Sequence, residues 1–260
     1  MYEELYEPMR DEKAYLKRIG LENFPMRADL NSLDKVIYAH LTHVAFENLD
    51  TWGRGVAPDL RINYLFDKIV ENNRGGWCFE LNSLFYAFLK KVGFECYMVI
   101  SHVMNGETEL RPPAHCSVIV TLDGRKYFCD VGFGGNVPFG AMSFEGESRF
   151  GFRLRKNGDF TELYNENLGC VALQFRDVPV SAVDFVPLNY YISQLSTSPF
   201  RNDLRVNIRY ENGSASLVNR EFKCRRGDEK IEKIVDADEI PNILREYFFI
   251  NPETVAFKEL

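Results

Sequence analysis

One cysteine in this chain stands where a thiol could act as a nucleophile. The run Arg74-Gly75-Gly76-Trp77-Cys78-Phe79-Glu80-Leu81-Asn82 places Cys78 between a Gly-Gly turn and the start of a helix. Apolar residues follow at Leu81, Leu84, Phe85, Phe88, Leu89 and Val92, and Gly93 closes the run. That stripe has helical period and a C-terminal stop. Unpaired N–H groups and the dipole at a helix N-terminus stabilise a thiolate. Nucleophilic chemistry then needs a base for the thiol proton and a group to orient that base.

Four histidines are available: His40, His43, His102 and His115. His40 and His43 fall in or beside an apolar helical stripe, and His40 reads as a packed side chain. His102 and His115 fall on strand-like runs. Asp123-Gly124 is a two-residue hairpin signal. With that loop Leu122 pairs with Arg125, Ser117 faces Asp130 and His115 faces Gly132. His115 and Asp130 then share a face as diagonal neighbours, about 7–8 Å apart and within side-chain reach. An aspartate so placed accepts the imidazole N–H, fixes the tautomer and stabilises the imidazolium. Gly132 would leave room beside a working ring. The same spacing equally suits a solvated His–Asp pair on a barrel face.

The elements that must bring these groups together follow from periodicity. Residues 1–93 read as helices. The first ends at Gly20, and the second carries Leu33, Val36, Ile37, His40, Leu41 and Val44 with Asn31 or Ser32 as cap. The third carries Ile62, Leu65, Phe66 and Ile69 and stops at Asn72-Asn73; the fourth runs from Cys78 to Val92. From Glu95 the period changes to two. Strands are expected over 95–104 and 115–132, over 149–155 and 159–164 joined across Asn157-Gly158, and over 170–175. Residues 187–199 read as an irregular crossing. Residues 203–210 and 214–222 form a hairpin across Asn212-Gly213, and a last amphipathic helix runs near 239–248 with Asp238 as cap. Helices, then antiparallel strands, then a smaller mixed piece make an α+β fold. The expected segments are 1–93, 94–190 and 191–260.

With 260 residues the chain suffices for one large domain or two to three small ones. The 14 % aromatic content implies a dense core, an aromatic-lined pocket, or both. A net charge of −7 gives no support to a nucleic-acid or anionic-membrane partner. Lys223, Arg225 and Arg226 read as a solvated turn. No apolar run approaches the ~20 residues of a membrane span. The N-terminus lacks the basic and apolar regions of a signal peptide. The six cysteines (Cys78, Cys96, Cys116, Cys129, Cys170, Cys224) form no C-x-x-C pair and read as free thiols. A cytoplasmic location follows as an expectation.

At this point the residues resemble the arylamine N-acetyltransferases. The Arg74–Asn82 run is similar to that family's nucleophile motif. His115 and Asp130-Val131-Gly132-Phe133-Gly134 match its histidine and aspartate segments in order and spacing. Phe46-Glu47-Asn48-Leu49 resembles its upstream motif. Asp184-Phe185, Pro187-Leu188-Asn189-Tyr190 and Ser198-Pro199-Phe200 resemble its signature near the end of the barrel. The resemblance implies an N-terminal helical bundle, a central antiparallel β-barrel and a C-terminal α/β lid around a cysteine-proteinase-like Cys-His-Asp core.

It also implies acetyl transfer from acetyl-CoA to arylamines, arylhydroxylamines or hydrazines, in two half-reactions through an acetyl-cysteine, with no metal. Cys78, His115 and Asp130 would be catalytic. Phe133, Phe46, Val103 and Phe200 would line the acceptor pocket, and Gly134 and Gly135 would let the pantetheine arm pass. Glu47 and Arg74 would form a buried pair holding the nucleophile turn. The family's C-terminal tail, which shapes its CoA cleft, is short here. No basic cradle for the CoA phosphates is apparent, so a partly exposed nucleotide end is expected. A homo-oligomer is left open. An aryl-amide synthase or a cysteine hydrolase would use the same three residues. The R/Q-x-x-G-x-G/A motif of the direct-transfer acetyltransferases is absent from the sequence.

Overall fold

A computed structural model describes residues 2–54, 56–135 and 137–256. Helix α1 (Glu12–Arg18) is capped by the Asp11 side chain and ends before Gly20, whose φ is +76°. Helix α2 (Leu30–His43) begins earlier than periodicity suggested. Its cap is Asp29, which accepts from the Ser32 N–H, rather than Asn31 or Ser32. Strand β1 (Phe46–Glu47) and helix α3 (Leu49–Arg54) follow. Helix α4 (Ile62–Phe66) continues as π-helix through Asp67–Glu71 and stops at Asn72. Helix α5 (Cys78–Lys91) starts at the candidate nucleophile.

A seven-stranded antiparallel sheet comes next. Its strands are β2 (Glu95–Val103), β3 (His115–Leu122), β4 (Arg125–Cys129), β5 (Met142–Ser143), β6 (Phe152–Asn157), β7 (Phe160–Asn165) and β8 (Cys170–Phe175). The order is β5-β4-β3-β2-β8-β7-β6, and β5 and β6 approach each other, so the sheet nearly closes into a barrel. Leu122 pairs with Arg125 across Asp123-Gly124, as that turn requires. The β6–β7 turn is Gly158-Asp159, one residue beyond the expected Asn157-Gly158, because Asn157 pairs with Phe160.

Two expectations for the last third change. The segment expected to be irregular contains helix α6 (Phe185–Gln194), which spans residue 190, and the short helix α7 (Pro199–Asn202). Pro187 lies in the first turn of α6, where a missing N–H breaks no helical bond. The final sheet has more strands than the expected hairpin: β9 (Arg205–Tyr210), β10 (Gly213–Val218), β11 (Glu221–Arg226) and β12 (Glu229–Ile234). Tyr210 pairs with Gly213, so the β9–β10 turn is Glu211-Asn212. Gly213 is needed for another reason: a Cβ there would lie 1.9 Å from the Arg225 carbonyl oxygen on β11. Helix α8 (Ile240–Phe248) is preceded by a 3-10 turn capped at Asp236, not Asp238.

One core joins the helices to β2–β4. A second fills the nearly closed barrel, and a third lies between the last sheet, α8 and the Ala45–Trp52 region. Strand β1 belongs to this last sheet, whose order is β1-β9-β10-β11-β12. No described helix is long and apolar enough to cross a membrane.

Candidate active site

The turn before α5 is built on β1. The Glu47 N–H donates to the Gly76 carbonyl at 2.9 Å, and the Gly76 N–H to the Ala45 carbonyl at 3.3 Å. Gly75 has no room for a side chain, since a Cβ would lie 2.1 Å from the Ala45 oxygen. Beneath the turn lies a buried cluster of five charged side chains. Arg74 Nη2 is 2.7 Å from Glu47 Oε1; Lys68 Nζ is 2.7 Å from Glu80 Oε1 and 2.8 Å from Asp50 Oδ2. Glu80 also accepts the Trp77 N–H at 3.0 Å, which caps α5. Burial pushes the Glu80 carboxyl up to about 7, against the pull of Lys68. Burial would lower the Lys68 ammonium, but Glu47, Glu80 and Asp50 raise it above its ordinary value.

Cys78 thereby emerges at the first position of α5, with its thiol 3.7 Å from the Ala114 carbonyl oxygen. His115 opens β3 and is buried. Its Nε2 meets Asp130 Oδ2 at 2.5 Å, and the Cys78 thiol is near enough to act on the ring. Nδ1 is therefore the nitrogen left for a second partner. Burial alone would lower the imidazole, but the charge and hydrogen bond of Asp130, with Cys78, raise it to about 10. The paired ladder of β3 and β4 stops at Val118 and Cys129, so Asp130 lies one residue beyond it and still reaches His115. Gly132 does not make room beside the imidazole as expected. It packs on the backbone of the candidate nucleophile, where a Cβ would lie 2.9 Å from Cys78 Cα.

Two further residues hold the carboxylate. Ser117 Oγ donates to Asp130 Oδ2 at 3.0 Å, and Asn82 Nδ2 to Asp130 Oδ1 at 3.2 Å. Asn82 also donates to the Cys116 carbonyl at 2.7 Å and accepts the Val131 N–H at 3.0 Å. It is thus the clamp between α5 and the segment carrying Asp130. Sequence reasoning missed both, although the signals exist. Asn82 lies one helical turn after Cys78, and Ser117 is two residues from His115 on the same strand face. Lys68 and Asp50 gave no such signal.

Cys78 and His115 open onto a cleft of about 720 Å³. Phe133, Phe46, Val103, Phe200, Gly134 and Gly135 all line it. Phe133 stands edge-on to the imidazole with centroids 5.5 Å apart, and Phe46 lies between Phe200 and Gly134. A Cβ on Gly134 would penetrate the Phe46 ring at 2.4 Å, so the glycine first serves this packing. Past Gly134 and Gly135 the cleft continues into a groove over β9–β11. There the register lines up Arg209, Ser214 and Arg225 across three strands. Arg225, expected in a solvated turn, lies on β11 and lines this groove.

Among the six cysteines, all unpaired, Cys116 and Cys129 are buried away from the cleft and burial pushes their thiols up. The family model for N-acetyltransferase matches residues 29–256. The chain belongs to the arylamine N-acetyltransferase family, a family of acyltransferases. Arylamine N-acetyltransferase 1 of Homo sapiens is 28 % identical over 274 residues, covering 93 % of this chain and 94 % of that protein. The arylamine N-acetyltransferase of M. smegmatis has a TM-score of 0.83 at 28 % identity, with 94 % of this chain and 93 % of that chain covered. That of Mycobacterium marinum, solved in complex with CoA, has a TM-score of 0.83 at 27 % identity, with 94 % of each chain covered.

Proposed function

We propose that this family member transfers acetyl from acetyl-CoA to arylamines, arylhydroxylamines or hydrazines through acetyl-Cys78. The observation that carries the reading is the row of thiol, imidazole and carboxylate at the wall of a mostly apolar cleft. Asp130 keeps the His115 ring protonated and oriented, and the ring holds the Cys78 proton. The Cys78 sulfur attacks the thioester carbonyl. The developing oxyanion meets N–H groups of the first α5 turn, which have no acceptor within the helix. The bond from carbonyl carbon to the CoA sulfur breaks, and His115 Nδ1 returns the proton to that leaving sulfur.

CoA departs and the amine enters the same cleft. His115 then takes a proton from nitrogen as it attacks acetyl-Cys78, and the carbon–sulfur bond to Cys78 breaks. Aromatic amines are weak nucleophiles, so both the thioester and the base are required. Phe133 beside the imidazole offers a flat face to an aromatic acceptor. The groove of Arg209, Ser214 and Arg225 suits the donor phosphates and would give the nucleotide end a basic support.

Intact mass after incubation with acetyl-CoA tests the reading. We expect one added acetyl in the native protein, none in Cys78→Ala, and loss of the adduct on adding an arylamine. No adduct in the native protein would end the proposal and favour a hydrolase.

A further inference from the structure

The wall of the cleft opposite the helices is β9, whose odd-numbered residues face it while Val206, Ile208 and Tyr210 fill the core behind. Two of those outward residues are arginines with different surroundings. Arg209 lines the groove beyond Gly134 and Gly135, with its guanidinium 3.6 Å from the centre of the Phe139 ring. Arg205 lines the catalytic cleft itself. Four residues of extended strand separate them by about 13 Å. One anionic group therefore does not occupy both.

Arg205 is held in place but not satisfied. Its backbone N–H donates to Asn48 Oδ1 at 2.7 Å, and Asn48 also binds the Phe200 and Asp203 carbonyls at 2.7 Å each. Asp203 Oδ2 accepts from Nη2 at 2.9 Å. Among the described residues, Nε is buried and meets no acceptor, and none reaches Nη1. Among the described residues the cleft wall also carries the His115 ring, held by Asp130, and Arg111, which is more exposed and paired with Glu107. Among the described residues no Asp or Glu side chain lines the cleft directly, and the carboxylate nearest to Arg205 is Asp203, which pairs with Nη2 from behind the lining. An aromatic slot with a guanidinium that Asp203 anchors through Nη2 leaves the rest of the planar fork for a carboxylate.

We infer that Arg205 selects acceptors that carry a carboxylate on the aromatic ring. The inference rests on the reading that Cys78 is acetylated. The acetyl group is neutral and the donor's charges lie at its nucleotide end. Arg209 and Arg225 are placed for those, so the arginine inside the cleft is left for the second substrate. Arg205 touches no reacting atom in this scheme; it binds the far end of the acceptor.

The test uses the pre-acetylated enzyme, mixed with 4-aminobenzoate or with its neutral isostere 4-aminobenzamide, following loss of acetyl from Cys78. The native enzyme should prefer the carboxylate by roughly tenfold or more in kcat/KM, the value of one charged hydrogen-bonded contact. In Arg205→Met that preference should vanish through a raised KM for 4-aminobenzoate, with 4-aminobenzamide changed less than about twofold. Arg205→Lys should keep part of it. The rate of acetylation by acetyl-CoA should be unchanged in both variants, which shows that the lid is intact. The same preference in native and Arg205→Met enzyme, or none in the native enzyme, overturns the inference. So does an Arg205→Met effect confined to acylation by malonyl-CoA, since the carboxylate recognised would then belong to the donor. If Cys78 takes no acetyl at all, the proposed function fails first, and the two failures are distinguished.

Discussion

At the scale of single residues, the site is decided by what Asp130 does to His115. Replacing Asp130 by Asn keeps the shape and the contacts from Ser117 and Asn82 but removes the charge. We expect acetylation of Cys78 to slow by about 10²–10⁴-fold with the fold retained, measured by rapid-quench mass spectrometry and circular dichroism. A rate near the native one would remove Asp130 from the mechanism. The pH consequence has a definite sign. The folded imidazole titrates near 10 and an unfolded one near 6.5, so its protonated form stabilises the fold. That contribution is full below pH 6.5 and lost as pH rises toward 10. Native-minus-variant urea stability should therefore shrink between those values. His40 behaves oppositely. It is buried 2.7 Å from the Tyr15 hydroxyl, and burial first, with Arg18 and His43, lowers it to about 3. Its neutral form stabilises the fold above pH 6.5, and that contribution falls as pH drops toward 3. His40→Gln should lose up to about 3 kcal/mol less than native between pH 6.5 and 4.

At the scale of elements, the nucleophile depends on a turn clamped from two sides. Gly132→Ala would press a methyl on the Cys78 backbone. We expect kcat to fall at least tenfold and thermal stability to drop by about 1–3 kcal/mol, because the start of α5 must move to admit the methyl. Below the turn, Lys68→Met would leave Glu47, Asp50 and Glu80 facing Arg74 alone and should cost about 3–5 kcal/mol of stability in urea unfolding. Glu80→Gln should cost about 1–3 kcal/mol, since Gln can still accept the Trp77 N–H but then turns its amide N–H₂ toward Lys68 Nζ, which Glu80 Oε1 now accepts from. The parts of this arrangement carried by local signals were legible beforehand. Cys78 begins α5 because the apolar stripe begins there, and Asp123-Gly124 set the register that brings His115 to Asp130. Asn157-Gly158 and Asn212-Gly213 misplaced their turns by one residue. Gly158 takes the first central position of its turn, and Gly213 answers a neighbouring strand instead of a bend. The five-charge cluster was legible only as the Glu47–Arg74 pair, because a buried Lys68 has the same sequence signature as an exposed one.

At the scale of the molecule, two sheets and a helical layer meet around the cleft. Its wall bearing Cys78 and His115 could be read from motifs, while its wall on β9 depends on pairings between distant strands. Arg205, Arg209 and Arg225 acquire meaning only when β9, β10 and β11 are placed side by side. The outer strand β12 is rimmed with Glu229, Lys230, Glu232 and Lys233, charges that oppose edge-to-edge association.

Strand β1 is the element that ties the first part of the chain to the last. Asn48 grips the Asp203 carbonyl across 155 residues, and Phe46 pairs with Asn207. During synthesis the stretch bearing the thiol leaves the ribosome long before β9 exists. Until it does, Ala45–Glu47 lacks a strand partner and rests on the Gly75-Gly76 turn and on the pairing of Glu47 with Arg74. A prematurely terminated product is thus expected to carry its sulfur on a turn whose supporting strand is paired along one edge only.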